Sequence, residues 1–169
     1  MKKLNKLLYL SMLLCLALVV YVIESQIPVI FPGIKLGLAN SIALFVLLTF
    51  GWEDMLLITV LRSFIGSIFG GNLFGFLFSI FGGILSNVVM ILLYKYFKKD
   101  ISIQWLSIAG AIFHNLGQLL VAAFVIKSFR IFVYSPILIG VGIITGYFTG
   151  LVCFYVYRRD LLKYFKTYK

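Results

Sequence analysis

Within one apolar stretch of this chain, a histidine and two amides fall inside two helical turns: His114, Asn115 and Gln118. The stretch reads Gly110-Ala111-Ile112-Phe113-His114-Asn115-Leu116-Gly117-Gln118. Residues four apart share a helix face, so His114 and Gln118 point the same way, with Gly110 on the same line and Asn115 beside them. Other apolar stretches contribute Asn40, Arg62 and Asn87. Amides and an imidazole supply directional hydrogen bonds, and a guanidinium presents a fixed fork of donors suited to an anionic group. Two readings of this set stand side by side. Either His114, Asn115, Gln118, Asn40 and Arg62 line a cavity for a small ligand, or they form an interhelical network that only fixes packing. An unperturbed histidine titrates near neutrality, but no Asp or Glu is expected in mid-span to carry a proton onward.

The same inventory excludes much enzyme chemistry. The chain has five Asp and Glu in all, and Mg²⁺-dependent work on diphosphates needs clustered carboxylates. There is no nucleotide-binding glycine loop, nucleophile elbow, or paired Cys or His metal spacing. No catalytic residues, metal or cofactor are expected. Cys15 and Cys153 lie in apolar runs and read as small hydrophobes.

These residues must be held by membrane helices. The chain is 63% hydrophobic and 12% charged, with a mean hydropathy of +1.12, more apolar surface than a water-soluble domain of this size can hide. One transmembrane domain, residues 1–169, is the economical reading. Six apolar runs are expected to span: about Leu7 to Ile23, Leu36 to Phe50, Met55 to Phe69, Leu73 to Tyr94, Ile103 to Val125 and Ile131 to Tyr157. The second and third are short for a hydrocarbon core of roughly 30 Å. Met1 to Val22 resembles a signal peptide in charge and hydrophobicity but has no clear small-residue cleavage site, so a retained first span is expected.

Most of the fifteen Lys and Arg residues fall in three patches. These are Lys2, Lys3 and Lys6; Lys95, Lys98 and Lys99; and Arg158, Arg159, Lys163, Lys166 and Lys169. Pairs of apolar runs separate them, so the positive-inside tendency predicts cytoplasmic termini. Gly51-Trp52-Glu53-Asp54 would then be a cytoplasmic loop. The net charge of +10 fits a rim facing anionic lipid heads, not nucleic acid. Glu24 to Lys35, with Pro28 and Pro32, reads as an apolar, extended outer loop, a tether or a cover over a cavity. Small-residue faces predict tight helix packing. They comprise Gly142, Gly146 and Gly150; Gly75, Ser79, Gly82, Gly83 and Ser86; and Gly66 with Gly70.

Several of these runs, in this order, resemble one bacterial membrane family: Pro32-Gly33-Ile34-Lys35-Leu36-Gly37-Leu38-Ala39-Asn40, Arg62 with Gly66, Gly82-Gly83-Ile84-Leu85-Ser86, His114-Asn115-Leu116-Gly117-Gln118 and Gly142-Ile143-Ile144-Thr145-Gly146. That family is heptaprenyl diphosphate synthase component I, also called the Gx transporter family. The resemblance covers nearly the whole chain and implies an all-α bundle of about six transmembrane helices in the bacterial cytoplasmic membrane. The organisation is similar to the substrate-binding S components of energy-coupling factor transporters, which work with a separate transmembrane subunit and ATPases. That likeness implies capture of a small molecule. The synthase name instead implies a non-catalytic role beside a prenyl diphosphate synthase subunit, in making the isoprenoid side chains of menaquinone. Some relatives are linked to flavin-based electron transfer, so a quinone-related or flavin-related role is also implied.

Overall fold

The structure is a computed structural model that describes residues 3–25, 38, 40–69, 73–97 and 100–159. Its described residues form six α-helices and one 3-10 helix, with no strand among them. The helices are α1 (Lys3–Ser25), α2 (Asn40–Thr49), α3 (Trp52–Phe69), α4 (Leu73–Phe97), α5 (Ile103–Ile126) and α6 (Ser135–Arg158). The 3-10 helix, Phe129–Tyr134, leads into α6.

The surface is inverted relative to a water-soluble protein. Leu4, Met12 and Leu16 of α1, Phe64 and Ile68 of α3, and Phe148 and Val152 of α6 are exposed, whereas Thr59, Ser63, Ser86, Asn87, Asn115 and Gln118 are buried. Hydrocarbon outside and hydrogen-bonding groups inside is the arrangement a bilayer demands. α1, α4, α5 and α6 are each long and apolar enough to cross a membrane. The protein is a multi-pass membrane protein.

The remaining two helices depart from the expected spans. At 1.5 Å per residue, the ten residues of α2 reach only about 15 Å, half the hydrocarbon core. α2 is an interior helix, with none of its ten residues exposed. Ala43, Leu44, Val46 and Leu47 are buried, and α2 packs on all five other helices. α3 has 18 residues and includes Glu53, Asp54 and Arg62. Its first turn takes up Trp52, Glu53 and Asp54, which the sequence reading placed in a loop. Asp54 there pairs with Lys6 of α1 at 2.7 Å, joining the N-terminal ends of the two helices.

The sixth run is likewise divided. Pro136 sits in the first turn of α6, where its missing N–H leaves no helical bond unmade. The preceding apolar residues from Phe129 take the tighter 3-10 form, so the helix begins at Ser135 and not at Ile131. Ser102 caps α5 by accepting from the Trp105 N–H at 3.3 Å. Lys127, in the left-handed conformation at φ 54°, ends that helix.

Successive long helices run antiparallel and in close register. Along α5 and α6, a Cβ on Gly142 would lie 3.3 Å from Ile112 Cα, one on Gly146 2.7 Å from Ile108 Cα, and one on Gly150 2.8 Å from Gln104 Cα. The predicted glycine face is therefore a backbone-to-backbone seam. α4 packs on α3 and α5, while α2 also meets α6. Gly70 and the loop bearing Pro28 and Pro32 lie outside the described residues, as do the basic positions 2, 98, 99, 163, 166 and 169.

Candidate functional site

Two adjacent glycines of α4 organise the polar interior. Consecutive helix positions point about 100° apart, so Gly82 and Gly83 serve different neighbours. A Cβ on Gly82 would meet α5, 2.8 Å from the His114 carbonyl oxygen and 2.9 Å from Gln118 Cγ. A Cβ on Gly83 would meet α3, 2.7 Å from Thr59 Cγ2 and 3.6 Å from Arg62 Nη2. α4 can thus lie close to a polar helix on each side because it has no side chain at these two points.

On the α3 side, Arg62 is 2% exposed. By the helical rise it lies roughly 15 Å along α3 from its first residue. Its Nη2 donates to Asn40 Oδ1 at 3.4 Å, and Glu24 and Tyr21 of α1 are close enough to interact electrostatically with it. Glu24 is also 2% exposed, and its Oε1 accepts from the Leu38 N–H at 3.2 Å. The acid that acts electrostatically on Arg62 is therefore the sequence-distant Glu24, while Asp54 pairs with Lys6. Sequence reading assigned Glu24 to a loop; it occupies the last turn of α1.

The same side carries further bonds. Asn87 Nδ2 donates to Thr59 Oγ1 at 2.8 Å. Ser63 and Ser79 hydroxyls lie 3.0 Å apart, and the Tyr21 hydroxyl bonds to Ser79. Gly66 makes room for the Tyr21 ring, which a Cβ there would meet at 2.7 Å. Sequence reasoning did not single out Tyr21, Thr59 or Ser63. A signal was present: Thr59, Arg62, Ser63 and Gly66 follow the i, i+3, i+4, i+7 spacing of one helix face. That face is polar or small, the inverse of the stripe sought in a water-soluble helix.

On the α5 side, His114 and Gln118 meet as their spacing predicts, with Gln118 Nε2 3.0 Å from His114 Nε2. With the amide nitrogen as donor, Nε2 of the neutral ring is the acceptor; the roles depend on the histidine tautomer. Both residues are buried. Asn115 turns away from them. Its Nδ2 donates to the Leu138 carbonyl of α6 at 2.9 Å, and Gly142 provides the space beside it. The structure thus joins Asn40 with Arg62 and His114 with Gln118, on the two flanks of α4, and gives Asn115 to the α5–α6 seam.

Hydrogen-bonding capacity exceeds what packing uses. Asn40 Nδ2, Ser86 Oγ, Asn87 Oδ1 and Asn115 Oδ1 are buried without a hydrogen-bond partner. They come from α2, α4 and α5. No group of three or more His, Cys, Asp or Glu that could hold a metal occurs among the described residues.

Across residues 13–156 the chain matches the family described as heptaprenyl diphosphate synthase component I. The chain belongs to that family. No curated protein and no solved structure matches it. The match takes in all six α-helices in whole or in part, and both flanks of the Gly82–Gly83 pair. The family description thus applies to the membrane bundle itself.

Proposed function

We propose that this family member binds a small molecule inside the bundle and passes it inward across the bacterial cytoplasmic membrane, in the manner of an S component of an energy-coupling factor transporter. The unpartnered amide and hydroxyl atoms of Asn40, Ser86, Asn87 and Asn115 carry this reading. In a low-dielectric interior an unmade hydrogen bond costs about 1–3 kcal/mol, and a network serving packing alone would be expected to close on itself. A ligand with its own donors and acceptors would satisfy these atoms. In this reading His114 and Gln118 supply directional hydrogen bonds from α5. Arg62, with Glu24 nearby, holds Asn40 by its Oδ1 and leaves the Nδ2 to the ligand, and Asn115 contributes from the α6 side. Both termini are cytoplasmic. A coupling transmembrane subunit and ATPases supply the energy.

The family description supports a second reading: a non-catalytic membrane component beside a heptaprenyl diphosphate synthase subunit. The carboxylates that hold Mg²⁺ would then belong to the partner, since this chain has only five acids.

The test is to replace His114 with Ala and Gln118 with Ala, separately, in the full chain. Folding, small molecules retained in native mass spectrometry, and uptake are then measured on the same preparations. Folded protein with binding or uptake lost is the expected result. Variants that stay folded and fully active, or that simply fail to fold, return these residues to a packing role. Co-purification with an ATPase module supports transport, whereas co-purification with an Asp-rich synthase supports the second reading. Labelling of engineered cysteines in intact cells should be blocked near Lys98 and open near Lys127, and the opposite pattern overturns capture from outside.

A further inference from the structure

Away from the polar interior, the basic end of the bundle carries a groove of about 690 Å³. It lies between the α2–α3 corner and the last turns of α4, lined by Leu47, Gly51, Trp52, Ile91, Tyr94 and Lys95. Its size falls in the range of small-molecule sites, about 300–1,000 Å³. Gly51 makes the corner at φ +117°, and no atom lies within 4 Å of where its Cβ would be. The corner is sharp and leaves this flank open.

The lining is graded. Leu47 and Ile91 are aliphatic and belong to, or pack against, the apolar core. Trp52 and Tyr94 are amphipathic rings of the kind that sit at headgroup level. Lys95 is exposed at the rim, where its stem can follow the apolar wall while its ammonium reaches the headgroups. Charge at this end is mainly basic. Lys6 is neutralised by Asp54, and Glu53 and Asp100 are exposed there, but Lys95, Arg158 and Arg159 outnumber those two acids on the same side. An apolar wall, an aromatic collar and a cation at the rim complement an amphiphile with a hydrocarbon tail and an anionic head.

We propose that this groove is a binding site for an anionic phospholipid of the adjacent leaflet, its acyl chain against Leu47 and Ile91 and its phosphate at Lys95. Basic pockets between membrane helices recognise anionic heads in this way, at about 1 kcal/mol per Lys or Arg near the surface. The site is separate from the interior polar set, so it stands or falls independently of the transport reading.

The experiment uses the full chain in detergent. Phosphatidylglycerol and phosphatidylcholine are titrated while thermal unfolding and lipid adducts in native mass spectrometry are followed. Phosphatidylglycerol is expected to bind more tightly and to raise the unfolding temperature further. Lys95→Gln should lower its affinity about fivefold, the equivalent of one lost charge contact, Lys95→Arg should retain it, and Trp52→Ala should weaken both lipids. Lys127→Gln, at the other end, should change nothing. Equal binding of the two lipids, an unaltered Lys95→Gln variant, or an equal loss in Lys127→Gln overturns the proposal. So does farnesyl diphosphate displacing phosphatidylglycerol from the wild type at matched concentration, which assigns the groove to an isoprenoid diphosphate. Full stabilisation by inorganic phosphate alone removes the acyl-chain part and overturns it too. Should Lys95→Gln fail to fold, the Trp52→Ala titration and the two-lipid comparison still decide.

Discussion

Two seams of this bundle differ in what holds them. Between α5 and α6, Gly142, Gly146 and Gly150 bring one backbone against the other at Ile112, Ile108 and Gln104. Between α3 and α4, side chains make the contact, with Ser63 on Ser79 and Thr59 on Asn87. Arg62 extends that polar side to Asn40 of α2. Lipid offers helices no hydrophobic incentive to associate, so close packing and hydrogen bonds must do it. The glycine seam relies mainly on dispersion over a long, regular contact, crossed by the Ser107–Thr149 and Asn115–Leu138 hydrogen bonds, and its spare chemistry is Asn115 Oδ1. The polar seam leaves spare chemistry in Asn40 and Asn87. The first is suited to be rigid; the second, with the His114–Gln118 pair across α4, is where a ligand could be recognised.

The largest expected effect strikes the polar seam. Arg62→Met removes a buried guanidinium that donates to Asn40 and acts electrostatically on buried Glu24, and leaving such buried groups unsatisfied costs about 3 kcal/mol or more. Thermal unfolding in detergent should show a large loss, partly recovered by adding Glu24→Gln. No recovery would mean that Glu24 is not the counter-ion.

Gly146→Leu should come next, at about 1–3 kcal/mol or more, because the new side chain starts 2.7 Å from the Ile108 backbone, which cannot step aside. Phe148→Leu, on the exposed face of the same helix, should change stability by no more than about 0.5 kcal/mol. Equal unfolding temperatures for the two variants would show that the glycine face is not a contact. Thr59→Val keeps the volume and removes the acceptor for Asn87, so a loss of about 0.6 kcal/mol is expected, the average for hydrogen bonds between membrane helices. A loss as large as that of Gly146→Leu would erase the distinction between the seams.

Much of this was legible in advance. The approximate helix positions, the glycine face of α6 and the His114–Gln118 pairing follow from short-range periodicity, since residues four apart meet on any helix. What was not legible depends on distance in sequence. Nothing local in Tyr21-Val22-Ile23-Glu24 says that Glu24 is buried; it becomes so because α1 packs on α3 and places it near Arg62. The direction of Asn115, toward Leu138, was equally hidden, because one residue beside His114 is enough to turn a side chain to a different neighbour. The interior place of α2 is also a matter of packing, though its shortness was visible.

Composition and spacing by themselves determined that this chain is a helical membrane protein, which residues are too polar to face lipid, and which faces are small enough for helices to meet. Those properties follow from transfer free energy and the helical repeat, and each can be read in a window of a few turns. Only the tertiary structure decided which polar groups satisfy one another and which are left over. It divided the interior at Gly82 and Gly83, sent Arg62 to Asn40 with Glu24 nearby, and left hydrogen-bonding atoms open on α2, α4 and α5. The physical reason is that hydrogen bonds and ion pairs depend on distance and angle between helices far apart in the chain, and the helical repeat carries no information about which neighbour a face will meet.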